Sequence, residues 1–392
     1  MPEAYIVAAA RTAGGRRNGR LSGWHPADLA AQVLNALIAR TDVDPALVED
    51  VIMGCVGQVG EQASNIARNA VLASRLPESV PATSVDRQCG SSQQALHFAA
   101  QAVMSGSMDI VIAAGVESMT RVPMGTPNTL PLKNGLGFYV SPLMQQRYPD
   151  VQFSQFTGAE MIARNYGIEK MELDAYALRS HRNAIAATQA GLFDQEIVPV
   201  AARMGDGTEP GDMHTADEGI RYDATLESIA GVKLIAEGGR CTAATASQIC
   251  DGASGVMVVN ERGLKVLGVK PLARVHHMSV IGHDPVIMLE APIPATQRAL
   301  KKAGMKIGDI DLYEVNEAFA PVPLAWLQTL DADPNRLNVH GGAIALGHPL
   351  GASGTKLMTT LIHALGQRNK RYGLQTMCEG GGMANVTIIE RL

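Results

Sequence analysis

The sequence has few aromatic residues, few cysteines and no long apolar run. Phe, Trp and Tyr make up 4% of its 392 residues, and its five cysteines include no CxxC pair. An odd number of scattered cysteines argues against a disulfide framework, and the missing CxxC pair argues against a structural zinc site. No run of about 18 apolar residues suggests a membrane span. We therefore expect a cytoplasmic protein with reduced thiols and no metal.

The sequence also lacks a strong charge of either sign. It has 33 basic and 38 acidic residues, a net charge of −5, which does not favour a nucleic-acid partner. Basic residues follow the first apolar run instead of preceding it, so we expect no secretory signal. With 46% hydrophobic residues, the chain is long enough for roughly two or three folded domains.

Glycine is what the sequence has in excess. The chain contains 40 glycines, a larger share than the average of about 7%. In a folded chain this indicates tight turns and close approach of backbones to each other or to a ligand.

Short apolar runs alternate with helical patterns in the first and last parts of the chain. This alternation predicts a mostly parallel sheet covered by helices. From about Thr120 to Gly239 the chain is instead rich in Pro, Gly, Asp and Gln, with one helix expected near Ala159–Ala190, and we interpret it as a functional insertion. The predicted strands are Tyr5–Ala8, Val51–Gly54, Ile110–Ala114, Val256–Val259, Ala273–Val280, Leu312–Val315, Leu374–Met377 and Val386–Ile389.

Two candidate sites contain a nucleophile and a base. Cys89, in DRQCGSSQQAL (86–96), directly precedes a predicted helix whose dipole would favour the nucleophilic thiolate. His348 lies in the glycine-rich segment NVHGGAIALGHPLGASG (338–354), which suits a backbone held close to a ligand. Taken singly, each residue also fits a structural role, as a buried cysteine beside a helix cap and a histidine in a connector.

Two further motifs follow predicted strands. YEVNEAFA (313–320) places Asn316 at a strand end, where parallel sheets bind ligands, although an asparagine there also fits a helix cap. MCEGGGMA (377–384) places Cys378 before three glycines, whose amides can form an anion-binding nest or simply a tight turn. Two cysteines, a histidine and an asparagine in this combination suit carbon–carbon bond chemistry on a thioester.

With these four motifs the chain resembles the thiolase family, the acetyl-CoA acetyltransferases and 3-ketoacyl-CoA thiolases, along essentially its whole length. NEAFA and GHPLGASG are the most specific blocks. The resemblance implies an α/β fold of two duplicated αβαβα halves in five layers, with an inserted loop domain, and a homodimer or homotetramer. We assign residues 1–119 plus 250–270 to the first half, 120–249 to the coenzyme-A-binding loop domain and 271–392 to the second half.

The resemblance also implies roles for single residues. Cys89 is similar to the acyl-accepting nucleophile, His348 to the base that activates it, and Cys378 to the acid/base at the substrate α-carbon. Asn316 would hold a water that forms one oxyanion hole with His348, and the amides of Cys89 and Gly380 would form the other. Coenzyme A is implied as a co-substrate, with no permanently bound cofactor; the residues implied to contact it are Ser247, Arg221 and Gln155.

Three residues depart from the usual pattern. Asp86 replaces an asparagine and Ser92 a glycine in the nucleophile block, and Glu379 stands where a small or apolar residue is usual. A carboxylate beside Cys378 would raise the pKa of that thiol, but neighbouring residues in extended chain point in opposite directions, so we expect Glu379 to face away from it.

The sequence leaves several functions to compare. Ketoacyl and hydroxymethylglutaryl synthases use one nucleophilic cysteine without a second one in a CxGGG block, and Cys378 argues against them. A cysteine hydrolase and a non-catalytic, thiolase-like lipid carrier remain alternatives. Within the family, SQF (154–156) replaces the His-Met-Gly stretch typical of short-chain biosynthetic acetoacetyl-CoA thiolases. We therefore expect a degradative enzyme of fatty-acid metabolism that accepts medium, long or branched 3-ketoacyl-CoAs.

Overall fold

In the computed structural model, which describes residues 2–392, one large mixed sheet runs through the chain and a two-stranded ribbon lies apart from it. Apolar β-branched runs form most strands of the large sheet, and the strands Ile110–Ser118, Cys250–Val259 and Leu312–Val315 are buried along their whole length. The strands are β1 (Tyr5–Arg11), β2 (Gly15–Arg16), β3 (Asp50–Gly54), β4 (Ala82–Val85), β5 (Ile110–Ser118), β6 (Val200–Ala201), β7 (Met213–His214), β8 (Cys250–Val259), β9 (Ala273–Gly282), β10 (Leu312–Val315), β11 (Tyr372–Glu379) and β12 (Met383–Arg391).

The helices form where apolar residues recur at helical spacing, as in the stripe of α1 that buries Leu29, Val33 and Leu37. Those of the described residues are α1 (Pro26–Thr41), α2 (Ile66–Leu72), α3 (Ser91–Ser105), α4 (Thr126–Lys133), α5 (Pro142–Arg147), α6 (Gln155–Asn165), α7 (Lys170–Gln189), α8 (Leu226–Ala230), α9 (Glu261–Leu267), α10 (Pro292–Ala303), α11 (Pro321–Leu330), α12 (Ala343–Leu346) and α13 (Ser353–Gln367).

The large sheet contains the same strand arrangement twice. In the first half β4, β3 and β5 are parallel neighbours, and β8 and β1 follow antiparallel. In the second half β10 and β11 are parallel, β12 and β9 follow antiparallel, and Leu337 bridges to Tyr313 in parallel where β4 lies in the first half. The two halves meet at a short antiparallel pairing of β1 with β9.

The expectation of a mostly parallel sheet is wrong. In the large sheet the parallel pairs are β3–β4, β3–β5 and β10–β11, and the remaining pairs are antiparallel. A strand buried on both faces is a continuous apolar run in either orientation, so the sequence pattern does not distinguish the two.

Helices α3 and α13 form the middle layer. They contact each other and strands of both halves, whereas α1 and α2 cover the first half and α10 and α11 the second. Gly354 allows the close contact, because a Cβ there would lie 2.1 Å from the amide nitrogen of Gln93 on α3. The five-layer duplicated fold expected from the family resemblance is confirmed, and its central helices begin side by side.

The middle of the chain differs from the single helix expected near Ala159–Ala190. Two helices, α6 and α7, occupy this stretch, and Gly167, with φ of 66°, lies in the turn between them. The left-handed conformation at Gly167 ends the helical path although apolar side chains continue on both sides. The helices α4, α5 and α8 were not expected from the sequence.

Candidate active site

The predicted nucleophile Cys89 lies in a tight turn between β4 and α3. Gln88 before it has φ of 50°, a left-handed conformation that is uncommon for a residue other than glycine. The amides of Gly90 and Ser91 donate hydrogen bonds back to the carbonyls of Arg87 and Gln88. The turn therefore fixes Cys89 next to the first turn of α3.

Two departures from the usual nucleophile block have partners in this turn. Asp86 accepts a hydrogen bond on Oδ1 from the amide of Gln88, 2.7 Å away, so an aspartate holds the turn as an asparagine oxygen would. Ser92 accepts a hydrogen bond on Oγ from the amide of Thr355, 3.0 Å away. Ser92 thereby links the first turn of α3 to the first turn of α13.

The surroundings of Cys89 oppose the thiolate. Burial, followed by the nearby carboxyl group of Glu379, raises the pKa of the Cys89 thiol to about 12. The expectation that the helix dipole favours the thiolate is therefore wrong for this site, because the loss of hydration outweighs the dipole. Cys89 is a neutral thiol that needs a base to remove its proton during attack.

His348 is a buried, neutral imidazole with a defined tautomer. Its Nδ1 lies 2.5 Å from Oγ of Ser353, and that hydroxyl donates its single proton to the carbonyl of Pro349, 2.9 Å away. The Ser353 oxygen therefore accepts a hydrogen bond from Nδ1, and Nε2 is unprotonated and can accept a hydrogen bond or a proton. Burial, and then the charge of Lys356, lower the pKa of His348 to about 3.

A buried carboxylate holds the loop that contains His348. Glu117, near the end of β5, accepts hydrogen bonds from the amide of Gly351 and from Nε2 of Gln62. It also accepts bonds from the amides of residues 56 and 57, just after β3. A Cβ on Gly351 would lie 2.5 Å from Cα of Cys55, so only glycine fits where the two loops cross.

Asn316 lies directly after β10, beside His348. Its Nδ2 is 3.4 Å from Nε2 of His348, and its Oδ1 is buried without a hydrogen-bond partner among residues 2–392. A buried amide oxygen of this kind is suited to accept a bond from a water or a ligand. Asn316 and His348, which are 32 residues apart in sequence, thus present polar atoms to one point.

Cys378 is the second-last residue of β11 and is fully buried. Burial, followed by the nearby Cys89, raises the pKa of its thiol well above the ordinary range. Gly381 and Gly382, with φ of 83° and 75°, turn the chain from β11 into β12. A Cβ on Gly380 would lie 2.9 Å from Oε1 of Gln88, which places this turn against the turn of Cys89.

Glu379 points towards the helix of Cys89. It follows Cys378 in β11, and successive side chains of a strand point to opposite faces of the sheet. Its carboxyl group lies against Gly90, where a Cβ would be 2.1 Å from Oε1. Both carboxyl oxygens are buried without a hydrogen-bond partner among the described residues. The Glu379 side chain therefore faces away from the Cys378 side chain, as expected. Burial of Cys89, and then the Glu379 carboxyl group, raise the pKa of the Cys89 thiol.

Replacing Glu379 by glutamine is expected to stabilise the protein at alkaline pH. Burial raises the pKa of Glu379 from its ordinary 4.5 to about 8. Between these values the folded protein holds a proton that the unfolded chain has lost, so the wild type loses stability as pH rises. At about 1.4 kcal/mol per pKa unit, the advantage of Glu379→Gln should reach a few kcal/mol above pH 8.

Thermal melting of both proteins between pH 5 and 9, values that bracket this titration, measures the effect. The exposed Glu237→Gln variant is the control and should follow the wild type throughout. Parallel melting profiles for the wild type and Glu379→Gln would contradict the raised pKa.

A cavity of about 820 Å³ opens next to His348. The three residues implied to contact coenzyme A, Gln155, Arg221 and Ser247, line it together with His348. Cys89, Cys378 and Asn316 are not part of its lining. Asn316 contacts His348, and Cys89 lies near Cys378. The structure thus places the cavity and Asn316 at the imidazole of His348 and the two thiols near each other.

Some residues at this site were missed in the sequence. Ser353 sets the tautomer of His348, and its position five residues later inside GHPLGASG was the available signal. Arg16 and Arg17 line the cavity together with Arg221. Two consecutive arginines were the only sequence signal for this role. Lys356 lies in α13 and contacts the backbone before His348, and no sequence motif predicted this contact.

Among residues 2–392, no helix is both long and apolar enough to cross a membrane. The same residues contain no cluster of three or more His, Cys, Asp or Glu side chains arranged to hold a metal ion.

Comparisons with known proteins cover the whole chain. The family model for the N-terminal domain of thiolase matches residues 4–262, and the model for the C-terminal domain matches residues 269–391. The chain is 52% identical over 397 residues to a steroid 3-ketoacyl-CoA thiolase of Mycobacterium tuberculosis, covering 100% of this chain and 95% of that protein. It is 41% identical over 399 residues to a 3-ketoacyl-CoA thiolase of Cronobacter sakazakii, covering 100% of both.

Proposed function

The chain belongs to the thiolase family, and from this premise we propose that it is a degradative 3-ketoacyl-CoA thiolase acting through an acyl-enzyme on Cys89. The observation that carries the proposal is the neutral His348 ring, with an unprotonated Nε2, which lines the cavity and contacts Asn316. The names of the relatives support a 3-ketoacyl-CoA as the substrate.

The first half-reaction cleaves the carbon chain. Sγ of Cys89 attacks the 3-keto carbon while Nε2 of His348 takes the thiol proton, which forms a tetrahedral oxyanion. The bond between the α-carbon and the 3-keto carbon then breaks, the shortened acyl group stays on Cys89, and the acetyl-CoA enolate leaves. Cys378 protonates the α-carbon of this enolate, and its high pKa suits a thiol that must hold a proton until then.

The second half-reaction transfers the acyl group to coenzyme A. The coenzyme A thiol attacks the thioester carbon, and its proton passes to the Cys378 thiolate left by the first half-reaction. The bond between the acyl carbon and Sγ of Cys89 breaks, and Cys89 takes back the proton held on His348. We propose that the amides of Cys89 and Gly380 stabilise one oxyanion. Asn316, with its unpartnered Oδ1, and His348 would stabilise the other through a water.

Coenzyme A fits the cavity by its chemistry. Arg16, Arg17 and Arg221 line one part, which suits phosphate groups, because guanidinium binds phosphate with paired hydrogen bonds. Ser247 and Gln155 line the path between these arginines and His348, where pantetheine amides need polar partners. We propose that these residues bind coenzyme A as a co-substrate.

The wall of the cavity supports a bulky acyl group. Phe156 lines it, is 43% exposed and stands edge-on to Phe319 with ring centroids 5.6 Å apart. Met119 and Met124 add flexible apolar side chains that adapt to ligands of different shape. Ser154 and Gln155 occupy the positions of the bulky His-Met pair that closes short-chain sites, and the cavity remains open beside Gln155.

Longer or branched 3-ketoacyl-CoAs are therefore expected to react at least as well as acetoacetyl-CoA. Each buried methylene contributes up to about 0.8 kcal/mol, so kcat/KM should rise or stay level with chain length. Thiolysis rates across a chain-length series measure this, and Phe156→Ala should increase the preference for long chains. A steep fall beyond four carbons, unchanged in Phe156→Ala, would return the protein to the short-chain class.

One assay separates the candidate functions. A 3-ketoacyl-CoA is offered with and without free coenzyme A, and acyl-CoA products are measured. Cleavage that requires coenzyme A supports the thiolase. Cleavage without it identifies a hydrolase, and no cleavage of any chain length identifies a non-catalytic carrier.

We further propose the division into residues 1–119 plus 250–270, 120–249 and 271–392, which the repeated strand order supports. A homodimer or homotetramer is also proposed. The side chains of Leu136 and Leu143 are 80% and 76% exposed in the segment 120–249, and exposed apolar residues of this kind suit subunit contacts. Five unpaired cysteines suit the proposed cytoplasmic location.

A further inference from the structure

A buried cluster of four charges lies behind His348. It consists of Arg11 on β1, Glu196 after α7, Asp217 and Lys356 on α13, and all four side chains are almost completely shielded from solvent. Two positive and two negative groups balance one another. Buried charges are costly unless they are paired, so such a cluster marks a position where the fold needs a fixed geometry.

Asp217 is the centre of the cluster. Its oxygens accept hydrogen bonds from Nη1 and Nη2 of Arg11 at 2.9 and 3.1 Å and from the amide of Gly14 at 2.7 Å. Nζ of Lys356 lies 3.5 Å from Oδ1. Arg11 and then Lys356 are the positive groups that hold the pKa of Asp217 at about 2 despite its burial. The carboxylate is thus ionised at every working pH.

Lys356 uses its remaining hydrogen bonds on the peptide before His348. Its ammonium donates to the carbonyls of Leu346 and Gly347, the latter 3.4 Å away. Gly347 has φ of 81° and is packed so closely that a Cβ would lie 2.7 Å from Sγ of Cys250. The backbone therefore cannot shift towards β8, and the hydrogen bonds from Lys356 hold the same peptide.

Asp217 also begins a stretch of chain that reaches the cavity. The next residues, 218–223, all line the cavity on the side of Arg221. The Asp217–Lys356 pair therefore connects two parts of the site that are far apart in sequence. Lys356 contacts the peptide before His348, the proposed base, and Asp217 precedes residues 218–223, which line the cavity.

We propose that Lys356, held by Asp217, is a positioning residue that fixes the backbone of His348 and with it the imidazole. The expected change in kcat rests on the proposed function. The fixed backbone before His348 does not depend on it. Displacing a catalytic group by about 1 Å can cost up to about 100-fold in rate. We therefore expect loss of the anchor to lower kcat about 10- to 100-fold while the KM for coenzyme A changes less than about threefold.

The test uses the charge-balanced double variant Asp217→Asn/Lys356→Met. It removes one charge of each sign and leaves the Arg11–Glu196 pair, so no unpaired charge remains in the interior. The matched control is Lys170→Met/Asp174→Asn, which removes an ion pair of 2.6 Å from α7, outside the site. Lys356→Arg keeps the donors and should restore most of the lost kcat.

Hydrogen–deuterium exchange gives a measurement that does not depend on activity. The amides of Leu346, Gly347 and His348 are all hydrogen bonded, to the carbonyls of Gly342, Ala343 and Gln248. In the double variant these amides should exchange at least about tenfold faster than in the wild type and the control. Unchanged exchange, or a kcat equal to that of the control, would overturn the proposal. If the wild type shows no thiolysis at all, the proposed function fails and the exchange rates still decide this inference.

Discussion

Cys89→Ala is expected to abolish formation of the acyl-enzyme and to leave no measurable thiolysis. The variant keeps the turn, because its hydrogen bonds come from the amides and carbonyls of neighbouring residues and from the Asp86 side chain. It removes the sulfur that lies next to the first turn of α3. In nucleophilic catalysis, loss of the nucleophile typically costs about 10⁴-fold or more.

Intact-mass measurement after incubation with a 3-ketoacyl-CoA detects the acyl group directly. Cys241→Ala is the matched control, because this buried thiol lies in the loop region, where the Cys241 backbone amide donates to Glu160. The control should be acylated like the wild type. An acyl adduct that persists on Cys89→Ala would assign the nucleophile to another residue.

Cys378→Ala is expected to separate the two halves of the reaction. Acylation of Cys89 from an acyl-CoA needs no proton transfer at the α-carbon, so the acyl-enzyme should still form. Thiolysis and condensation both require that proton transfer and should fall by about 10²–10⁴-fold, the usual range for loss of a general acid or base. Intact-mass measurement after incubation with an acyl-CoA, and a coupled thiolysis assay with a 3-ketoacyl-CoA, give the two results on one preparation.

Glu379→Gln serves as the control for this prediction, since Glu379 is the neighbouring acid. If Cys378 is the acid/base, Cys378→Ala should lose turnover and Glu379→Gln should keep most of it. Near-normal turnover in Cys378→Ala, with a large loss in Glu379→Gln, would transfer the role to the carboxyl group that lies against Gly90.

Much of the fold could be predicted from the sequence, but the direction of its strands could not. The strand Leu312–Val315 has the predicted bounds, and others, such as Tyr372–Glu379, extend the predicted cores by two residues or more. These runs are apolar and bounded by polar residues, which is a local signal. Strand direction depends on which distant segment pairs with which, and no local pattern records that.

The residues of the site could be predicted from their motifs, but the shifts of their pKa values could not. Cys89 stands at a helix N-terminus as predicted, yet its thiol is destabilised as an anion by burial and by Glu379, which is 290 residues away in sequence. In the same way, no motif assigned a role in the site to Lys356. Its partners are backbone carbonyls and an aspartate of a distant loop, so only the folded chain shows its contacts.

The repeated strand order gives every position of the site a counterpart in the other half. The pairing register aligns Gly54 with Gly115 in one half and Val315 with Thr376 in the other. Two residues further along, Glu117 in the first half therefore corresponds to Cys378 in the second. The strand end of the second half carries the thiol of Cys378. The matching strand end of the first half carries the carboxyl group of Glu117, which accepts several hydrogen bonds and holds the loop of His348. The first half therefore contributes both the proposed nucleophile Cys89 and a carboxylate that supports the histidine loop of the second half.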